Sequence, residues 1–181
     1  MTSVRSEDGR VAASGTTPAN LPLRKRPVDI FFIVMFSLFI VTCIISDAIP
    51  TLGIPQTATT TNILAQWNYT YSSQYDPLYQ QEPVWLRFIT GTSAFVYLPF
   101  YVLLVVCLVK GFNWIQLFAV IYATMIISLT AIPIFGVEFF GPLAQRTPHP
   151  VIFLLYNGPY VLVPLLLLIR MRKPLPFTRR F

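Results

Sequence analysis

Four long apolar runs alternate with shorter polar segments along the chain. The first run contains the uninterrupted stretch IFFIVMFSLFIVTCII. Each run has roughly the 20 residues that a helix needs to cross the hydrocarbon core of a bilayer. None shows the alternating polarity of a β-barrel strand. The pattern predicts an all-α, four-helix transmembrane bundle, with spans at about 28–49, 87–109, 114–135 and 151–169.

Composition agrees with this prediction. The 181 residues are 55% hydrophobic and 11% charged, whereas a soluble domain carries about 25% charged residues. Mean hydropathy is +0.63, and the spans leave no room for a separate soluble catalytic domain. The net charge of +6 comes from side chains at the edges of apolar runs. Basic residues at the ends of apolar runs are typical of membrane proteins, in which they set the orientation of the spans. We therefore expect no nucleic-acid partner.

The distribution of basic residues predicts that both termini are cytosolic. With the N-terminus in the cytosol, the luminal side carries only Arg87 and Arg146. The cytosolic side then carries Arg5, Arg10, Arg24, Lys25, Arg26, Lys110, Arg170, Arg172, Lys173, Arg179 and Arg180. This split of 11 against 2 follows the positive-inside rule.

The segments outside the spans are mainly polar. Residues 1–27 are rich in Ser, Thr, Ala, Gly and Pro, which predicts a disordered cytosolic tail and not a cleavable signal peptide. Residues 174–181 form a predicted cytosolic C-terminal tail. The luminal loop at about 50–86 contains the sequon Asn68-Tyr69-Thr70, which makes Asn68 a candidate for glycosylation.

Few side chains are candidates for chemistry. Asp47 lies about nineteen residues into span one, where a carboxylate either reaches luminal water or faces the bundle interior. Asp76 precedes a proline, and a helix N-cap is sufficient to explain it. The chain has one histidine, His149, so we expect neither a metal site nor a Ser-His-acid set, and no cofactor. Cys43 and Cys107 lie at different depths of spans one and two, so we expect no disulfide between them. Both suit the role of small apolar packing residues.

Polar and small residues occur unevenly within spans two to four. They include Ser93, Thr130, Asn157 and Tyr160, and prolines lie near them. Close helix packing explains most of these residues. Kinked helices lined with hydroxyls and aromatic rings can also enclose a cavity for an amphipathic ligand.

Several motifs resemble the EXPERA-domain family, and within it the sigma-2 receptor branch. The most specific is Asp-Pro-Leu-Tyr-Gln-Gln-Glu-Pro-Val-Trp at 76–85; further matches are Leu-Pro-Phe at 98–100, Lys-Gly at 110–111, Ile-Pro-Ile at 132–134 and Pro-Tyr-Val-Leu-Val-Pro at 159–164. The resemblance covers about residues 28–173. The polar tail and the divergent luminal loop also suit a fungal branch described as efficient mitochondria targeting-associated protein.

The resemblance implies a multipass protein of the endoplasmic reticulum with a pocket for a sterol or a cationic amphiphile. It implies ligand-binding roles for Asp47, Asp76, Thr130 and Tyr160. Ser93 is a fifth predicted ligand-binding residue, and it occupies the position at which the sigma-2 receptor has a membrane-embedded glutamate. A serine can donate a hydrogen bond to Asp47 but cannot act as a general acid near neutral pH.

We therefore predict a non-enzymatic protein that binds a membrane lipid or sterol and takes part in lipid or protein trafficking. Membership of the fungal branch would imply mitochondrial precursor proteins as clients. The small residues on the helix faces could pack within one bundle or between two, so a homodimer is an alternative to a monomer. The alternative is a sterol isomerase of the emopamil-binding type, which moves a double bond by protonation and deprotonation. Those enzymes place histidine and glutamates on their spans, whereas no predicted span here contains a histidine. A channel or transporter would favour inverted repeats, which the chain does not show.

Overall fold

The computed structural model describes residues 20–178, and these form helices joined by short connections. Beyond one isolated bridge between Asn20 and Thr178, the described residues contain no β-structure. The α-helices, in chain order, are α1 Pro27–Ser46, α2 Ala48–Thr51, α3 Ile63–Tyr75, α4 Pro77–Gln81, α5 Val84–Thr92, α6 Leu98–Lys110, α7 Ile115–Met125, α8 Ile132–Phe140, α9 Pro150–Asn157 and α10 Pro159–Met171.

These helices combine into membrane spans. Within the described residues, three continuous helical stretches are long and apolar enough to cross a bilayer: Pro27–Thr51, Val84–Lys110 and Ile115–Phe140. The pair α9 and α10 is bent by 43° and counts as a fourth span if the pair crosses together. We call these stretches spans one to four. Span three continues to Phe140, beyond its predicted end near 135. α8 runs through Gly136 without a break and ends at its C-cap residue, Gly141.

Each of spans two to four is interrupted near its middle. Wide π-helical turns occupy Ser93–Tyr97 and Ile126–Ala131. Each precedes a helix with proline in its first turn. Proline has no N–H to donate, so the preceding turn loses an α-helical hydrogen bond and is free to widen. In span four, the break lies at Gly158-Pro159.

The bundle core is aromatic. Span one buries one face at a helical spacing through Phe32, Phe36, Phe39 and Cys43. Phe36 contacts the ring of Tyr101 with a centroid distance of 5.5 Å. α1 packs along α6, and α10 packs on α7. Apolar surface between helices gains little over lipid in a bilayer, so close packing of this kind holds the helices together.

Both predicted tails are partly packed. Residues 1–19 and 179–181, which include most of the predicted disordered segment, lie outside the described residues. Asn20 bonds to the Gly111 carbonyl at 2.9 Å, and Arg26 is buried. Phe177 is fully buried, with the guanidinium groups of Arg26 and Arg170 at 5.1 and 5.3 Å from its ring. Residues 20–27 of the predicted disordered tail and residues 174–178 of the predicted C-terminal tail therefore pack against the span ends, in part through cation–π contacts.

The segment between spans one and two is mainly helical. Asn62 caps α3 by accepting from the amides of Leu64 and Ala65 at 3.0 and 3.1 Å. Asp76 caps α4 by accepting from the Tyr79 amide at 2.9 Å, and Pro77 occupies the first helical position. The helix start predicted at Asp76 is confirmed. α3 and α4 pack on each other and place polar side chains above the bundle interior.

Candidate functional site

A cavity of about 130 Å³ lies within the bundle at the level of the helix breaks. Its wall includes residues of spans one to four together with α3 and α4. The lining residues are Ser46, Asp47, Asn68, Tyr71, Asp76, Leu78, Tyr79, Leu86, Ile89, Thr90, Ser93, Ile126, Thr130, Ala131, Ile134, Phe135, Asn157 and Tyr160. Drug-sized ligands usually occupy roughly 300–1,000 Å³, so a sterol would require the helices to separate further.

Asp47 and Ser93 form the polar wall between spans one and two. Asp47 follows the last residue of α1, and Ser93 begins the π-helical turn of span two. The Ser93 hydroxyl donates to an Asp47 carboxylate oxygen at 2.5 Å. The hydrogen bond expected between these residues is therefore present. Cys43, one turn before Asp47, places its sulfur 3.6 Å from the same hydroxyl.

Asp76 and Glu138 form a carboxyl pair behind the wall formed by α4. Both side chains are buried, and their carboxyl groups lie close enough to interact electrostatically. Two buried carboxylates this close repel each other when both are charged, which favours a retained proton on one of them. Within the described residues, Glu138 Oε2 has no hydrogen-bond partner. Burial raises the pKa of the Asp76 carboxyl above its ordinary value.

Glu138 also links span three to the helices between spans one and two. Its other carboxyl oxygen accepts from the Leu78 amide of α4 at 3.3 Å. Its carbonyl accepts from the Thr147 amide at 3.2 Å, and the Thr147 hydroxyl donates to the Tyr75 carbonyl at 2.8 Å. Glu138 therefore holds α4 against the end of span three that lies furthest from the termini.

Asn68 faces the cavity and is only 6% exposed. Its amide nitrogen donates to the Ile45 carbonyl at 2.7 Å and to the Tyr79 hydroxyl at 3.3 Å. This nitrogen is the atom to which a glycan would be attached. The structure thus gives the predicted glycosylation site an internal hydrogen-bonding role instead, which argues against modification of the folded protein.

Two tyrosines and an asparagine complete the polar lining. Asn157, at the break of span four, donates to the Tyr71 hydroxyl at 2.9 Å. The Tyr79 hydroxyl donates to the Ser46 carbonyl. Burial raises the pKa values of both tyrosines, so both remain protonated near neutral pH. These side chains connect α3 and α4 to spans one and four.

The opposite wall is mainly apolar. It consists of Ile126, Ala131, Ile134 and Phe135 of span three. Tyr160 closes one side: its hydroxyl is hydrogen-bonded to Thr42, and its ring stacks on Phe39 at a centroid distance of 4.4 Å. The cavity therefore has one polar wall with acids and one apolar wall, an arrangement suited to an amphipathic molecule.

All five residues predicted to bind a ligand line this one cavity. Asp47, Asp76, Ser93, Thr130 and Tyr160 come from four spans and α4. Their role in binding remains a prediction. Glu138 is not among the residues predicted to bind a ligand. A carboxylate near the end of an apolar run is nevertheless unusual in a membrane span and is a signal for a functional residue.

A comparison with protein-family models places most of the chain in a known family. The model described as EBP: EXPERA (EXPanded EBP superfamily) matches residues 63–171, which is more than half of the chain. The matched range runs from α3 to the end of span four. It includes Asp76, Ser93, Thr130 and Tyr160 but stops short of Asp47. Asp47 is therefore grouped with the matched residues because it lines the same cavity.

Proposed function

Since the chain belongs to the EXPERA family, we propose that it is a non-enzymatic membrane protein that binds a sterol or another amphipathic ligand in the bundle cavity. We place it in the endoplasmic reticulum with both termini in the cytosol. The observation that carries this proposal is the division of the cavity into a wall with Asp47 and Ser93 and an apolar wall from span three.

The breaks in the spans support entry of a ligand larger than the present cavity. Ser93, Thr130 and Asn157 each lie in or beside an interruption of regular α-helix. Helices bend most readily where the hydrogen-bond ladder is already broken. Small movements at three such places would widen the cavity without unwinding a span.

Photo-crosslinking with a clickable sterol probe in native membranes, followed by peptide mapping, tests this proposal. We expect labels on peptides that contain Asp47, Ser93 or Tyr160. Asp47→Asn should reduce labelling, since the ligand's polar group loses its charged partner. Ala131→Leu should also reduce it, by filling the apolar side. Glu82→Gln is the matched control, because Glu82 pairs with Arg87 away from the cavity lining.

Labelling confined to lipid-facing residues would contradict the proposal. So would labelling that is unchanged by both Asp47→Asn and Ala131→Leu while each variant expresses at the wild-type level. The resemblance to the fungal branch adds the handling of mitochondrial precursors at the reticulum surface to the proposal. Import of a reporter precursor, compared between cells with wild-type protein and cells with Asp47→Asn, tests that part.

A sterol isomerase is the second candidate function, and the Asp76–Glu138 pair favours it. Burial and mutual repulsion favour a retained proton on this pair beside the cavity, and Asp47 lies in the same lining as an acceptor. An isomerase needs a donor and an acceptor on the two sides of its ligand. Incubation of the purified protein with a Δ8-sterol, followed by mass-spectrometric analysis of double-bond position, separates the two functions. Turnover that Asp76→Asn abolishes would overturn the non-enzymatic proposal.

A further inference from the structure

A second, larger recess lies on the outside of the bundle, at the end that carries the termini. It has a volume of about 630 Å³ and runs between the start of span one and the end of span four. We call it the terminal groove. Its floor is apolar and exposed, and consists of Val28, Phe31, Leu166 and Ile169. These side chains lie on the outer surface of the spans, where hydrocarbon surrounds the protein.

The rim of the terminal groove is basic. Arg172 and Lys173 line it and are exposed, and within residues 20–178 neither side chain has an ion-pair or hydrogen-bond partner. Arg170 also lines it, but its guanidinium is held by Asp29 at 2.8 and 3.1 Å and by the Pro176 carbonyl at 3.0 Å. The two free cations at the rim are therefore available to an external anion.

A reversal of the chain after span four fixes the rim over the floor. Leu175 adopts the left-handed backbone conformation, with φ 55°. The chain then returns towards span one, where Phe177 is buried and its carbonyl accepts from the Leu21 amide at 3.0 Å. Asn113 accepts from the Phe177 amide at 2.9 Å. Residues 174–176 thus form a wall of the terminal groove and not a free tail.

We propose that the terminal groove binds an anionic phospholipid. The headgroup phosphate accepts hydrogen bonds from Arg172 and Lys173, and an acyl chain lies along the apolar floor between spans one and four. Basic recesses between helices at the membrane surface are suited to anionic headgroups. The volume falls within the roughly 300–1,000 Å³ of ordinary ligand sites. This inference does not depend on the sterol proposal, because the terminal groove and the inner cavity share no lining residue.

Native mass spectrometry of the full-length protein in detergent tests the proposal. The protein is titrated separately with dioleoylphosphatidylserine and with dioleoylphosphatidylcholine. The test variant is Arg172→Gln/Lys173→Gln. The control is Lys25→Gln/Lys110→Gln, which removes the same charge from exposed positions outside the terminal groove. We expect preferential retention of phosphatidylserine, a loss on the order of tenfold in the test variant and little change in the control.

Photoactivatable phosphatidylserine supplies a second readout. We expect its acyl-chain label on peptides that contain Phe31 or Ile169, and glycerophosphoserine, which has no acyl chains, should not compete. Equal retention of the two lipids would overturn the proposal. Equal losses in the test and control variants would overturn it too, because they would indicate a diffuse surface charge. Labels only on other faces of the bundle would have the same consequence.

Discussion

The ion cluster at the terminal end of the bundle gives the sharpest stability prediction. Asp29 is completely buried, and its carboxylate accepts from Arg26 at 2.7 Å and from Arg170 at 2.8 and 3.1 Å. Asp29→Asn leaves two guanidinium groups, one of them buried, without their counter-ion. Removal of one partner from a buried ion pair costs about 3–5 kcal/mol. For a chain of this size, we expect a fall in Tm on the order of 10 °C.

The chain supplies a matched control for this variant. Arg87 pairs with Glu82 at 3.1 Å, but the Arg87 side chain is 54% exposed. Exposed ion pairs contribute about 0–1 kcal/mol. Arg87→Gln should therefore change the free energy of unfolding by less than about 1 kcal/mol. Each substitution removes one charge, but Asp29→Asn disrupts two buried contacts whereas Arg87→Gln disrupts one exposed contact.

The two buried, free cysteines provide the assay. Cys43 and Cys107 are each 1% exposed and become accessible to a thiol-reactive fluorophore only when the bundle opens. Heating in detergent micelles with such a fluorophore therefore reports the Tm. A double variant, Asp29→Asn/Arg170→Gln, should recover part of the loss, since one uncompensated cation is removed. A Tm for Asp29→Asn equal to that for Arg87→Gln would refute the reasoning.

Two further outcomes follow from single positions. A Cβ atom at Gly158 would lie 2.4 Å from the Leu154 carbonyl oxygen, whereas one at Gly136 would meet nothing within 4 Å. Gly158→Ala should therefore destabilise the folded protein by about 1–3 kcal/mol. Gly136→Ala should be neutral or stabilise it by up to about 1 kcal/mol. The same thiol assay compares the two variants, and equal effects would contradict the steric argument. Because the folded-state pKa of Asp76 is raised, the folded protein binds more protons than the unfolded chain, so stability should fall as pH rises through that pKa. Asp76→Asn retains the cap and should flatten the dependence of Tm on pH; an unchanged slope would exclude this carboxyl as its source.

The three continuous spans could be predicted from the sequence because hydropathy depends only on local composition, and the fourth predicted run corresponds to the bent pair α9 and α10. The Ser93–Asp47 contact could be predicted from the family resemblance, which placed both residues in one pocket. The helix start at Asp76 could be predicted too, since an N-cap followed by proline is a local signal. Each of these inferences needs only a short stretch of chain or an established pattern.

The position of Glu138 could not be predicted in this way. A wide turn adds residues to the helix, and each residue rotates the following face by about 100°. The face that Glu138 presents therefore depends on the turn at Ile126–Ala131, which hydropathy does not reveal. The packing of Phe177 was equally hidden, because it requires Arg26 and Arg170 to approach from the two ends of the chain.

The same acid pair that supplies a proton beside the cavity also makes that proton difficult to donate. If Asp76 gave up the shared proton, two buried carboxylates would face each other, and this repulsion opposes ionisation. A raised pKa means a weaker acid, whereas protonation of an alkene requires a strong one. The geometry therefore favours a structural role for the pair and a binding role for the cavity, with Asp47 as the carboxylate that meets the ligand.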